Sequence, residues 1–252
     1  MSYFHLNLIL KGKLTVCCLL MLPAIPLNAQ REAKQIGDFK ESISLNEHLR
    51  GTKRTLQYRP DGDEFVCVNG KNRYTRALYG SHSPFRVETS DRPVFAFYNN
   101  GRGGNISFKV ILRDGTELAL DCTGHCESRY SAGKRTYYLT DPSWGKGELR
   151  ISVLALADMD GAIWRFSPSN MPKGAILRWQ HGGATGKRLS RNGDMGVDPA
   201  DCFELPVEAT DLVTGELPLQ KEVYLVRGEV PEDYNVRKLY QQAEAASLAL
   251  AS

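Results

Sequence analysis

The chain predicts an all-β fold: a large two-sheet antiparallel sandwich of the super-sandwich type, with a C-terminal helix. Three observations carry this expectation. From Thr55 onward, short runs rich in Val, Ile, Phe, Tyr and Leu succeed one another with no helical period between them. Asp61-Gly62, Asn69-Gly70, Asp114-Gly115 and Asp160-Gly161 punctuate those runs, and Asn/Asp-Gly suits hairpin turns whose two central residues take positive φ. Without helices to carry crossovers a parallel sheet has no route, which leaves antiparallel sheets packed face to face.

Taken in order, the first residues read as an export signal. Lys11 and Lys13 precede the apolar run Leu14 to Leu22, and Ala29 offers a small residue for cleavage before Gln30. The run is shorter than the ~20 residues a membrane-spanning helix needs, and no later stretch qualifies, so no membrane span is expected. A lipid anchor on Cys17 or Cys18 would leave almost no apolar run ahead of it. Residues 1–29 are therefore assigned as signal peptide. The signal holds two of the 32 basic residues and none of the 29 acidic ones, so the mature chain is nearly neutral. It has no basic block, which removes the electrostatic reason to expect nucleic acid as a partner.

Residues 30–54 are polar and weakly periodic, a leader segment ahead of a sandwich domain at residues 55–230. Strands are expected at Glu64 to Val68, Arg73 to Tyr79, Val94 to Tyr98, Glu117 to Asp121, Arg135 to Thr140, Ala175 to Gln180, Phe203 to Glu208 and Glu222 to Val226. The clearest alternation puts Ile106, Phe108, Val110 and Leu112 on one face and Ser107, Lys109, Ile111 and Arg113 on the other. A second such pattern flanks the Asp160-Gly161 turn, with Leu149, Ile151 and Val153 before it and Ile163, Trp164 and Phe166 after it. At the C-terminal end Pro231, Glu232 and Asp233 start a helix whose apolar stripe is Val236, Leu239, Tyr240 and Ala243. Residues 231–252 are read as a linker helix that either folds back on the sandwich or begins a further helical domain.

His181 to Cys202 fits neither period. This stretch has five glycines, six charged residues and only Leu189, Met195 and Val197 as large apolar side chains. Long loops of this kind inside a compact domain are usually either binding or active-site loops or disordered segments. The expected strands on either side would hold both of its ends.

Several stretches together resemble a family of large exported bacterial proteins of unassigned function linked to polysaccharide breakdown. They are Tyr58 to Val66 (YRPDGDEFV), Asn69-Gly70, Arg76 to Gly80 (RALYG), Phe85 to Val87, Asn100 to Asn105 (NGRGGN), Gly182 to Lys187 (GGATGK) and Ser190 to Asp194 (SRNGD). The resemblance covers most of Leu56 to Pro231. It implies an N-terminal β-sandwich that, in longer relatives, precedes a helical barrel similar to (α/α)6 glycoside hydrolases. It also implies an exported protein, periplasmic or on the outer surface of a Gram-negative bacterium. It transfers no catalytic residue.

Gly186-Lys187 lacks the glycine five residues upstream and the following Ser or Thr of a phosphate-binding loop. Asn192, Asp194, Asp198 and Asp201 are oxygen ligands spaced closely enough for calcium, but they lack the acids of the helix-loop-helix calcium signature, an Asx-turn-rich loop is the better account, and no cofactor is expected. Glycoside hydrolysis needs two carboxyl groups at a set separation, and Asp194, Asp198, Asp201 and Glu204 could supply them without the sequence saying which pair converges. No catalytic residue is assigned on that basis.

Carbohydrate is the expected partner, together with a helical catalytic domain in a longer protein. Sugars stack on aromatic rings while their hydroxyls pair with polar side chains. Trp144, in the turn Asp141-Pro-Ser-Trp-Gly145, and Trp179, just ahead of the long loop, are the tryptophans expected near the surface; Trp164 alternates with core positions. Arg102 in the glycine-rich Asn100 to Gly104, with Lys187 and Arg191, forms a cationic rim suited to an acidic sugar, and Asp194 completes the expected binding set.

Two alternatives stay open. One is a free-standing glycan-binding module. The other is a mutarotase-like sugar isomerase, which would use His125 or His181 with a carboxylate. Of the mature cysteines Cys67, Cys122, Cys126 and Cys202, an exported chain allows three disulfide pairings that spacing does not rank. Cys122-Thr-Gly-His125-Cys126 departs from common zinc spacing.

Overall fold

Three of the four Asn/Asp-Gly pairs close hairpins. In the computed structural model, which describes residues 57–80, 85–99, 102–182, 212–228, 230 and 233–251, Asp61-Gly62 joins β1 (Arg59–Asp61) to β2 (Glu64–Val68). Asp114-Gly115 joins β6 (Arg102–Ile111) to β7 (Glu117–Ala119), and Asp160-Gly161 joins β10 (Glu148–Ala155) to β11 (Gly161–Ser169). Asn69-Gly70 does something else. The next strand, β3 (Arg76–Tyr79), lies in the other sheet, so this pair turns a corner between sheets. Asn69, at φ +51°, bonds Cys126 twice, through its N–H to the carbonyl (2.8 Å) and through Oδ1 from the N–H (2.9 Å). A Cβ on Gly70 would collide with the Asp91 carboxylate and the Cys67 sulfur, so only glycine fits.

The remaining strands are β4 (Arg86–Thr89), β5 (Phe95–Asn99), β8 (His125–Ser131), β9 (Lys134–Thr140), β12 (Ile176–Gly182), β13 (Val213–Pro218) and β14 (Val223–Gly228). They form two seven-stranded antiparallel sheets. Sheet A runs β1-β2-β8-β9-β10-β11-β14; sheet B runs β13-β12-β6-β5-β4-β3 with β7 also on β6. The expected two-sheet sandwich is what forms, with strand limits shifted by up to four residues. β1, β4, β8 and β13 add to the strands expected from sequence, and Phe203 to Glu208 lies outside the described residues.

The inner faces meet in an aromatic core. Phe95, Phe97, Phe108 and Phe166 surround Trp164, with ring centroids 5.7–6.0 Å from the indole for the first three and Phe108 against Phe166 at 5.0 Å. This is the alternation read from the sequence, since Ile106, Phe108 and Val110 are all buried there with Leu149, Ile151 and Val153 opposite.

One polar cluster crosses between the sheets. Arg135 on β9 and Asp91 after β4 are both 0% exposed, with Nη2 and Oδ1 3.8 Å apart. Nη2 also donates to Tyr58 Oη (2.9 Å), Ser128 Oγ (3.0 Å) and the Ser90 carbonyl (3.2 Å). Asp91 accepts from the Tyr58 hydroxyl, from Thr75 Oγ1 (3.1 Å) and from the Asn72 N–H (2.9 Å). Among the described residues the Arg135 Nε and Nη1 have no hydrogen-bond partner, but the guanidinium stands 5.4 and 5.6 Å from the Tyr58 and Tyr137 rings, a cation–π environment.

The C-terminal helix, α1 (Val236–Ala251), starts later than Pro231. Asn235 caps it, its Oδ1 accepting from the N–H groups of Arg237 (3.1 Å) and Lys238 (3.0 Å). Its predicted stripe is correct: Val236, Leu239, Tyr240 and Ala243 pack on Leu154, Ile163, Tyr224 and Val226. Those four residues alternate with core positions on β10, β11 and β14, so the helix folds back on the outer face of sheet A. Among the described residues no helix is long and apolar enough to cross a membrane.

Candidate functional site

Antiparallel pairing brings the two glycine-rich segments to the same end of sheet B. Gly182, the last residue of β12, pairs with Asn105, three residues into β6 from Arg102, which itself pairs with Asn99 where β5 and β6 meet. The chain that leaves β12 at Gly182 returns as β13, with His181 opposite Val213. The segment expected as a binding loop is therefore anchored by a β12–β13 hairpin. Lys187, Arg191 and Asp194, and the calcium candidates Asn192, Asp198 and Asp201, lie outside the described residues, as does Cys202.

At this end Leu177, Trp179 and His181 share the inward face of β12. The His181 Nδ1 lies 2.8 Å from the Asn105 carbonyl oxygen. A carbonyl only accepts, so Nδ1 carries the proton and the neutral ring keeps its lone pair on Nε2. That lone pair faces the Nε–H of Arg227, 3.5 Å away, a long hydrogen bond. Burial pushes the His181 pKa below its ordinary 6.5 and the Arg227 charge pushes it the same way, against the Asn105 carbonyl. The imidazole is held neutral with both nitrogens occupied.

Arg227 comes from the end of β14. Val223 and Leu225 on the same face pack on the inter-sheet core, so period 2 carries Arg227 inward as well. Its guanidinium lies 4.9 Å from the Phe97 ring centroid and 5.5 Å from that of Phe85, and those two rings stack at 5.9 Å. His181 meets Phe97 edge-on at 5.5 Å. Burial lowers the Arg227 pKa, and the Asp160 charge opposes that shift. The result is a cation laid on aromatic faces between the sheets, with a histidine holding one edge.

The sequence-predicted aromatic residues divide. Trp144 corrects the expectation of a near-surface ring: it is 2% exposed and part of the core. Asp141 explains this. Its Oδ1 accepts from the Ser143 N–H (2.9 Å) to start the 3-10 turn Pro142–Trp144, and its Oδ2 accepts from the Gly124 N–H (2.9 Å). The turn is thereby tied to the start of β8 with its indole inward. Trp179 is half-buried and lies flat across Gly215, where an added Cβ would stand 2.5–2.7 Å from three indole atoms. It is two residues from His181 on the same face. Arg102 lies at the same end by its strand position.

The residues missed from sequence are Arg227, Phe85 and Phe97. The signal for Arg227 was an arginine in phase with the core positions of VYLVR. His125 is exposed on β8 in sheet A, whereas His181 is on β12 in sheet B. Cys126 is buried, its Sγ 3.6 Å from the Asp91 carbonyl, whereas Cys122 is exposed; both are free thiols, as is Cys67. Among the described residues no group of three or more His, Cys, Asp or Glu could hold a metal ion. A separate cleft of about 280 Å³ lies along β6 between Tyr74, Val94, Ser107, Lys109 and Asp121, and none of the sequence-predicted site residues lines it.

A family model described as a domain of unknown function (DUF4450) matches residues 100–228, from the residue after β5 to the last residue of β14. No curated protein matches the chain.

Proposed function

The chain belongs to the DUF4450 family, a domain of unknown function, and we propose that it serves as a non-catalytic β-sandwich module of an exported, polysaccharide-processing, glycoside hydrolase-like protein. Its task is to bind or border a carbohydrate with the end of the sandwich that carries His181 and Arg227. The observation behind this reading is the Arg227 guanidinium resting on Phe97 and Phe85 beside His181. A guanidinium fixed in place by buried rings and a histidine is a preorganised donor, the kind of polar group that orients a ligand. Trp179 and Arg102 flank the same end and belong to the proposed surface, with Lys187, Arg191 and Asp194 in the adjoining segment.

The isomerase alternative needs a histidine that exchanges protons with a nearby carboxylate. The His181 nitrogens are directed at a carbonyl and at an arginine instead, which favours the binding reading.

The test uses the chain from Gln30 in affinity electrophoresis through gels cast with plant and host polysaccharides, alongside a reducing-sugar assay. Retardation in at least one gel with no sugar released supports the proposal. Release of sugar, or free migration in every gel, overturns it.

A further inference from the structure

We infer that the Arg227 guanidinium recognises a carboxylate on the bound glycan, which makes the ligand a uronic-acid polymer. This rests on the carbohydrate-binding reading above and specifies its substrate class.

An arginine presents a carboxylate with a planar fork of two N–H donors. In Arg227 the Nε edge is taken by His181, which leaves the Nη1/Nη2 end. Among the described residues neither Nη makes a hydrogen bond to protein, and Arg227 is only partly buried. The other arginines that carry the sheets' ion pairs are spent differently. Arg86, Arg129, Arg165 and Arg178 each hold a glutamate at 3.0 Å or less. Arg227 has no bonded carboxylate among the described residues, although Asp160 acts on it at longer range.

Its plane is fixed from two directions, by the rings of Phe97 and Phe85 and by His181, whose own orientation is set by the Asn105 carbonyl. A guanidinium held this way loses little side-chain freedom when an anion arrives, and half-burial strengthens the bond that forms. The planar fork meets a carboxylate with two parallel N–H···O bonds, and because it can grip a tetrahedral oxyanion in the same way, the sulfated probe below separates the two.

The experiment compares retention of the wild-type chain on three probes: polygalacturonate, the same polymer fully methyl-esterified, and a sulfated galactan. The expected result is retention on polygalacturonate, with Kd at least about tenfold weaker on the ester, and Arg227→Met showing that loss on the unesterified polymer. Arg227→Lys keeps the charge without the fork and is expected to recover only part of the affinity. Equal retention on acid and ester overturns the inference and leaves the carbohydrate-binding reading in place. Tighter binding to the sulfated galactan overturns the carboxylate assignment. Retention on no polysaccharide overturns both. Because the acid and ester arms use the unaltered chain, the comparison holds even if an Arg227 variant misfolds.

Discussion

Asp91→Asn is the most searching perturbation of the fold. It removes the charge opposite Arg135 while keeping the size and most of the shape of the side chain. The new amide would turn its oxygen to the Asn72 N–H and its NH2 to the Tyr58 and Thr75 hydroxyls, which can rotate to accept. The neutral hydrogen bonds are thus largely recoverable. What is not recoverable is the compensation for a guanidinium with no exposed surface. Breaking a buried pair by removing one charge typically costs about 3–5 kcal/mol. Arg135 retains three acceptors on Nη2 and two aromatic rings, so the low end of that range is expected. Arg135→Met on the Asp91→Asn background should then cost about 1–3 kcal/mol less than on the parent, because the stranded charge has gone. Urea unfolding followed by tryptophan fluorescence measures all four proteins in one cycle. An Asp91→Asn cost below about 1 kcal/mol, or additive energies, would show that the pair does not hold the sheets together as argued.

Three further predictions concern the candidate site and its surroundings. Trp144→Ala should destabilise the chain by about 3–5 kcal/mol in the same unfolding assay, yet leave polysaccharide retention unchanged in native gels, since the indole is core. Gly215→Val should cost about 1–3 kcal/mol by pushing the Trp179 indole off its strand, with a changed near-ultraviolet circular dichroism band; adding Trp179→Ala should relieve part of that cost. His181 titrates lower when folded than its ordinary 6.5, so the unfolded chain binds the proton more readily. Its contribution to stability is complete above that pH and is lost as pH falls through 6.5 toward the folded value. The parent's melting temperature should therefore drop more between about pH 7.5 and 5 than that of His181→Gln, and parallel drops would count against the buried neutral histidine.

Much of the fold was legible because strand periodicity is a direct statement about burial. Ile106 to Val110 and Leu149 to Val153 read correctly because one face of each strand meets the core. β8 (HCESRYS) and β13 (VTGELP) did not, because the first is mostly polar and the second is broken by glycine and proline, so neither carries a clear apolar alternation; pairing with neighbours makes them strands. Asn69-Gly70 has hairpin chemistry but serves as a corner, since β3 pairs in the other sheet. The site was half legible. The position of the glycine-rich segments and the interest of His181 came from sequence, whereas Trp144 was misplaced because a polar turn was equated with exposure. Arg227 was hidden because its meaning depends on rings contributed by β5 and by the residue before β4, more than 120 residues earlier in the chain.

The hairpin that pairs His181 with Val213 separates two kinds of heritable change. The entropy of closing a connection grows only logarithmically with its length, about 0.6 kcal/mol for a doubling. The register of β12 against β6 and β13 keeps His181 and Trp179 in place independently of the residues between Gly182 and Val213. Descendants of one ancestral chain could therefore vary the length and composition of that connection while the sandwich stays under purifying selection for packing.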